Sequence, residues 1–171
     1  MYDALETKHQ DENSKNFCFA ENEYFEDAVC LNKRGKIQAK AMVEVIKYSK
    51  LPVGYIVSSP SCRERQTAAL VFGGFDQLEK SFVHLGPYSE VGDRSGYLDK
   101  FILNLPRYKD KNVIISSHNG VIGSNLFKGD RPLEEGGFYI LSINNKNKLV
   151  FEHEFHNFNF FSKQFFIRND N

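Results

Sequence analysis

The segment that decides the fold is VGYIVSSPSCRERQTAALVFG, which spans residues 53 to 73. Its first part, GYIVSS, is a short apolar run that predicts one buried strand. In the second part Ser59 can cap a helix, Pro60 fits a first helical turn, and Gly73 or Gly74 can end the helix. The sequence therefore predicts a strand that runs directly into a helix.

The segments on both sides of this unit repeat the alternation of strands and helices. From Asn32 to Ser49 the apolar residues recur at helical spacing, which predicts an amphipathic helix that ends before Pro52. Its buried stripe is expected to contain Ile37, Ala41, Val45 and Tyr48, widened by Ala39, Met42 and Ile46. On the other side, SFVHL (81–85) predicts a strand and RSGYLDKFILNL (94–105) a further helix.

The second half of the chain supplies the remaining strands. NVIISS (112–117) is apolar up to its serines, and we expect VIISS to be an interior strand. GGFYILSI and KLVFEHEF, separated by the turn-forming NNKN, predict a closing hairpin over 136–155. This order predicts the α/β class, as a three-layer α/β/α sandwich with a mostly parallel central sheet.

Length and composition predict one globular domain. The chain has 171 residues, of which 41% are hydrophobic and 26% are charged, and both values are typical of a single folded unit. We expect a polar N-terminal arm at residues 1–27, the folded domain at 28–156 and a phenylalanine-rich tail at 157–171.

The charges and the apolar runs argue against two classes of partner. The 22 basic and 22 acidic residues cancel, so no protein-wide field attracts nucleic acid or an anionic membrane. No apolar run approaches the roughly 18 residues of a membrane span, and the N-terminus lacks the basic and apolar regions of a signal peptide. We therefore expect a cytoplasmic protein that binds neither nucleic acid nor membrane.

The cysteines predict no crosslink. Cys18, Cys30 and Cys62 are odd in number and contain no CxxC pair, so they indicate neither a disulfide framework nor a zinc site. We expect buried or half-buried free thiols.

Two strand ends carry side chains suited to an anion. Ligands of open α/β sheets bind beyond the carboxyl ends of the strands, where helix N-termini present free N–H groups. Arg63 lies one turn into the helix after the first strand, and His118 follows VIISS with Asn119 directly behind it. A guanidinium offers a planar fork to phosphate oxygens, and an imidazole donates a further hydrogen bond. We expect Arg63 and His118 to converge on one cleft, with Ser117 and Asn119 near its rim.

Three ordered blocks of the sequence resemble the histidine phosphatase (phosphoglycerate mutase-like) superfamily. They are LNKRGKIQA (31–39), SSPSCRERQTA (58–68) and SHNGVI (117–122), and the middle block, of the form SSPxxRxxQTA, is the most specific. LEEGGFYIL (133–141) is similar to a later strand of the superfamily, so the resemblance extends over about residues 31–143. The separation of 55 positions from Arg63 to His118 suits its small members, which lack a large inserted cap.

The resemblance implies phosphoryl transfer in two steps. A phosphomonoester or a phosphorylated side chain would be hydrolysed through a phosphohistidine, without a metal or other cofactor. Arg63 would correspond to the arginine that clamps the phosphate and His118 to the second pocket histidine, both stabilising charge on the transferring oxygens. Many members also use an acidic proton donor, for which Glu90 and Asp93 are the candidates.

The nucleophilic histidine of the family has no clear counterpart before Leu31. The family carries it in an Arg-His-Gly or Arg-His-Ala motif at the end of a first strand, whereas here His9 is the only histidine upstream of residue 84. A different alignment places Asp3 at the position of the nucleophilic histidine, and an aspartate cannot form a phosphohistidine. Three interpretations are open: the chain has lost its first strand and nucleophile, it uses His9, or it is a non-catalytic descendant that keeps a phosphate pocket.

The alternative to a phosphatase is a phosphate-binding or protein-interaction module without turnover. The feature that distinguishes them is a histidine within attack range of a phosphate held by Arg63 and His118. Neither the substrate nor the oligomeric state follows from these motifs, because both depend on side chains outside them.

Overall fold

A computed structural model describes residues 30–82, 94–118, 133–134 and 136–159. Its helices are α1 (Lys33–Ser49), α2 (Cys62–Phe72) and α3 (Arg94–Leu103), and its strands are β1 (Val53–Ser58), β2 (Gln77–Leu78), β3 (Asn112–Ser116), β4 (Phe138–Ile143) and β5 (Leu149–Phe155). The expected N-terminal arm and most of the expected tail lie outside the described residues. No helix in the described ranges is long and apolar enough to cross a membrane.

The first three strands form a parallel sheet in the order β2-β1-β3. At its carboxyl edge Ser58 pairs with Leu78 on one side and with Ser116 on the other. Helices alternate with these strands along the chain, so the predicted mixed α/β class is confirmed. The arrangement of the helices in three layers stays a prediction.

The structure bears in part on two of the strand predictions. Within the described residues β3 pairs with β1 alone, and the interior position of VIISS stays a prediction. Of the strand expected at SFVHL, Ser81 and Phe82 belong instead to a short 3-10 helix, Lys80–Phe82, and residues 83–85 lie outside the described residues. The strand that pairs with β1 is the two-residue β2, which is too short to leave a periodic signal.

The ends of α1 and α2 follow from local chemistry. The side chain of Asn32 caps α1 by accepting a hydrogen bond from the backbone N–H of Gly35 at 2.8 Å. Ser61 is the N-cap residue of α2, two positions after the expected Ser59. Gly73 ends α2 as predicted, with φ at 88°, a left-handed conformation that glycine adopts without steric cost.

The buried face of α1 differs from the expected stripe. Ile37 and Tyr48 are 60% and 65% exposed, whereas Ala39 and Val45 are buried. The helix packs on α2 through a cluster that includes Ala39 and Val71. Small side chains let helices approach closely, which favours Ala39 over the larger Ile37 at this contact.

The main core lies between the sheet and α3. Its buried members are Val57, Phe82, Leu98 and Leu105, and Tyr55, Phe101, Val113 and Ile115 pack against them. Alternate residues of β1 and β3 share a face of the sheet, and α3 covers that face with its apolar side chains. This packing gives the sheet a rigid base and fixes where its carboxyl edge lies.

Strands β4 and β5 form the predicted antiparallel hairpin. Phe138 pairs with Phe155 and Ile143 with Leu149. In the turn the side-chain oxygen of Asn144 accepts backbone hydrogen bonds from Lys146 and Lys148 at 3.0 Å, the local bonding for which asparagine is favoured in turns.

A disulfide joins Cys30 to Cys62, with their Cα atoms 4.8 Å apart. The expectation of free thiols is therefore wrong for this pair. The bond connects the residues just before α1 to the first residue of α2. Beside it the amide of Leu31 donates to the side-chain oxygen of Gln66 at 2.8 Å. The beginnings of the two helices are thus held together covalently and by hydrogen bonding.

Candidate active site

Parallel pairing of β1 and β3 brings two distant loops to one edge of the sheet. Ser58 and Ser116 are register partners at the ends of these strands. One residue further, the amide of Ser59 donates to the carbonyl oxygen of Ser116 at 2.8 Å. The ends of β1 and β3 therefore lie side by side. The chain continues from β1 into α2 and from β3 to His118.

Arg63 and His118 meet at this edge. The guanidinium Nη2 of Arg63 lies 2.5 Å from Nδ1 of His118. A guanidinium has no acceptor, so Arg63 donates and Nδ1 accepts in this contact. The amide of His118 donates to the carbonyl oxygen of Phe82 at 3.3 Å, which ties the site to the core. The expected juxtaposition of the two residues is present.

Glu64 is the third member of the cluster. Its Oε1 accepts a hydrogen bond from Nε of Arg63 at 3.0 Å, and its Oε2 lies 3.2 Å from Nε2 of His118. The hydroxyl of Ser61 also donates to Oε2. The Glu64 carboxylate thus contacts the same two side chains, Arg63 and His118, that the sequence predicts to bind a phosphate.

The electrostatics of the cluster keep Glu64 ionised. Burial alone raises the pKa of this carboxyl, but contact with His118, the positive charge of Arg63 and the Ser61 hydroxyl together hold the pKa below its ordinary value. A buried carboxylate is tolerated when it is paired and hydrogen-bonded in this way. At neutral pH the site therefore contains a negative charge next to its cations.

Arg65 is buried beside the cluster, with 4% of its surface exposed. Burial lowers the pKa of its guanidinium, and the charge of Glu64 opposes this shift. Arg65 thus adds a buried positive charge to the first turn of α2, beside the half-buried Arg63.

The backbone around the site is fixed by side-chain hydrogen bonds. The hydroxyl of Ser116, at the end of β3, donates to the carbonyl oxygen of Glu64 at 3.0 Å. The hydroxyl of Thr67 donates to the carbonyl oxygen of Arg63 at 2.8 Å. The Ser116 bond fastens the first turn of α2 to the sheet and the Thr67 bond braces that turn within the helix, so Arg63 and Glu64 project from a rigid base.

The remaining sequence candidates are distributed as follows. Ser117 is half-buried next to His118, and its hydroxyl lies 3.4 Å from the carbonyl oxygen of that residue. Other candidates fall outside the described residues, namely His9, Glu90, Asp93 and Asn119. Within the described ranges no group of three or more His, Cys, Asp or Glu side chains is placed to hold a metal ion.

Sequence reasoning missed Glu64, although a signal was present. Ser61 and Glu64 have the spacing of a capping box, in which the glutamate bonds to the backbone of the cap residue. In the structure Glu64 bonds to the Ser61 hydroxyl instead and extends to Arg63 and His118. The motif pointed to the right pair of residues but gave no indication of their role in the site.

Comparisons with protein-family models, with curated proteins and with solved structures found no match. The resemblance to the histidine phosphatases therefore stays a prediction drawn from the three sequence blocks.

Proposed function

We propose that Arg63 and His118 form the phosphate-binding site of a phosphoryl-transfer domain of the histidine phosphatase type. The observation that supports it is the 2.5 Å contact between Arg63 Nη2 and His118 Nδ1, two residues 55 positions apart. They meet at the carboxyl ends of adjacent parallel strands, the usual place for a ligand in an α/β sheet. The ligand class is a phosphorylated small molecule or a phosphorylated side chain.

In this proposal the two side chains stabilise the transferring phosphoryl group. Arg63 offers two N–H groups in one plane to two phosphate oxygens, and the His118 ring donates to a third. A separate histidine attacks phosphorus while the bond to the leaving oxygen breaks, and water then hydrolyses the phosphohistidine. His9 is the candidate nucleophile from the sequence, and Glu90 is the candidate proton donor to the leaving oxygen.

A second candidate function is phosphate or protein binding without turnover. The specific observation in its favour is the carboxylate of Glu64, which already contacts both Arg63 and His118. A site that holds its own anion is less suited to rapid turnover than one that is open to substrate. This candidate shares the anion site with the first and differs from it in chemistry alone.

The binding part of the proposal is tested by titrating the full chain with inorganic phosphate in a calorimeter. Arg63→Ala should weaken binding about 30-fold or more, because truncating one member of a buried charged pair costs about 2 kcal/mol or more. Arg34→Ala is the matched control, since it removes the same charge from an exposed position of α1. Equal losses in the two variants would show that the phosphate responds to overall charge and not to this site.

The catalytic part is tested with an aryl phosphate. Turnover that disappears in both His9→Ala and Arg63→Ala, with an acid-labile phosphohistidine trapped on the unmodified chain, would identify the phosphatase. Turnover no faster than that of Arg63→Ala, together with phosphate binding, would identify the non-catalytic module. Activity that requires Arg63 but survives His9→Ala would point to His118 or to a water molecule as the attacking group.

The cytoplasmic location expected from the sequence stays a prediction, and the disulfide weighs against it. Disulfides persist mainly in oxidising compartments and are rare among cytosolic proteins. Trapping the thiols with an alkylating agent during cell lysis would report the state of Cys30 and Cys62 in the cell. Full alkylation of both residues would support a reducing compartment.

A further inference from the structure

The position of Glu64 is that of an anion bound in the site. Its two oxygens lie against two different nitrogens. Oε1 accepts a hydrogen bond from Arg63 Nε at 3.0 Å, and Oε2 lies 3.2 Å from His118 Nε2 without hydrogen-bond geometry. A phosphoryl group likewise carries several acceptor oxygens that can contact a guanidinium and an imidazole at the same time. The side chains of Glu64 and His118 are 8% and 7% exposed, while that of Arg63 is 16% exposed. The carboxylate is thus held on the inner side of the arginine.

The helix itself does not require this carboxylate. As the third residue after the N-cap, Glu64 is placed to complete a capping box, but a glutamine performs that role equally well. Here the side chain contacts the Ser61 hydroxyl, Arg63 and His118. Its negative charge therefore serves the cluster, where it neutralises Arg63 and lies near the buried Arg65.

We propose that Glu64 is a built-in competitor for the anion site, so that a phosphate binds to Arg63 and His118 only after displacing the Glu64 carboxylate. This inference rests on the proposed function, because it assumes that Arg63 and His118 receive a phosphate. Two anions cannot occupy this place together, since a second anion there finds the Arg63 Nε donor already used and meets like-charge repulsion from the carboxylate. Glu64 thereby lowers the affinity for phosphate and sets the ligand concentration at which the site fills.

The experiment is a titration of the full chain and its variants with inorganic phosphate at constant pH and ionic strength. Glu64→Gln removes the charge and keeps the side-chain length, and it should tighten phosphate binding about tenfold or more, the factor set by removing a like charge from the anion's immediate surroundings. Glu64→Asp keeps the charge but withdraws it by one methylene, and it should also bind more tightly than the unmodified chain. Glu44→Gln, which removes an acidic side chain that is 77% exposed, is the control and should change the affinity less than twofold, as expected for a screened surface charge.

The outcomes separate this inference from the proposed function. Tighter binding by Glu64→Gln, or binding by that variant alone, supports the competitor role. If the unmodified chain binds phosphate through Arg63 and Glu64→Gln binds no more tightly, the competitor role is overturned and the phosphate site stands. If neither protein binds phosphate, both are overturned. Should Glu64→Gln fail to fold, Glu64→Asp decides, and affinity equal to or weaker than that of the unmodified chain would refute the role.

Discussion

The disulfide between Cys30 and Cys62 should account for a large part of the stability of this chain. The two residues are 32 positions apart, and the loop-closure relation for a loop of that length gives about 4 kcal/mol at 25 °C. For a protein of this size each kcal/mol corresponds to about 2–4 °C in melting temperature, so reduction should lower it by about 8–16 °C. The loss should be visible in thermal unfolding followed by circular dichroism, with and without reductant.

A matched variant shows whether this bond is responsible. The double replacement Cys30→Ala and Cys62→Ala should melt near the temperature of the reduced protein and should not respond to reductant. Thiol counting in denaturant should find at most one reactive thiol before reduction and three afterwards, since the chain has three cysteines. Three reactive thiols before reduction, or a melting temperature that reductant leaves unchanged, would refute the reasoning.

Three further predictions follow from burial and charge. Arg63→Ala should remove binding of a phosphate analogue, whereas Arg65→Ala, at a position 4% exposed, should chiefly lower the melting temperature; a larger loss of anion binding for Arg65→Ala would show that the helix register has been misread. Phe82→Ala should lower the free energy of unfolding in urea by about 3–5 kcal/mol, because it empties a fully buried position of the core that supports His118. A loss no larger than that caused by an alanine replacement at an exposed position would contradict the placement of Phe82 in the core. The pKa of Glu64 in the folded state lies below the ordinary value of 4.5. The stability that the ionised Glu64 carboxylate contributes to the folded protein is therefore complete above pH 4.5 and is lost as pH falls through the lowered pKa. The stability difference between the unmodified chain and Glu64→Gln should therefore shrink below pH 4.5, and a difference constant with pH would contradict the ionised state.

Much of the fold was predictable because periodicity and turn residues act locally. The span of α1, the strand that leads into α2, the α3 helix and the hairpin all carried such signals. The face on which α1 packs did not, because Ile37 and Tyr48 satisfy helical spacing as well as Ala39 does. Which face is buried depends on how closely α2 approaches, and that is a property of the packed structure.

The candidate site was predictable in part because the ends of strands can be located from local sequence signals. Arg63 and His118 lie at strand ends, and parallel pairing brings strand ends together. The Cys30–Cys62 bond depends on how the starts of two helices meet, which no cysteine spacing encodes. The role of Glu64 depends on the rotamer of one side chain, and its local sequence pointed equally to a helix cap.

The most direct measurement is a crystal structure of the chain soaked in phosphate or vanadate. We expect the anion to lie within hydrogen-bond distance of both the Arg63 guanidinium and the His118 ring, with the Glu64 carboxylate moved away from them. An anion bound elsewhere at saturating concentration, with Arg63 and His118 still in contact with Glu64, would contradict a phosphate site at the carboxyl edge of β1 and β3.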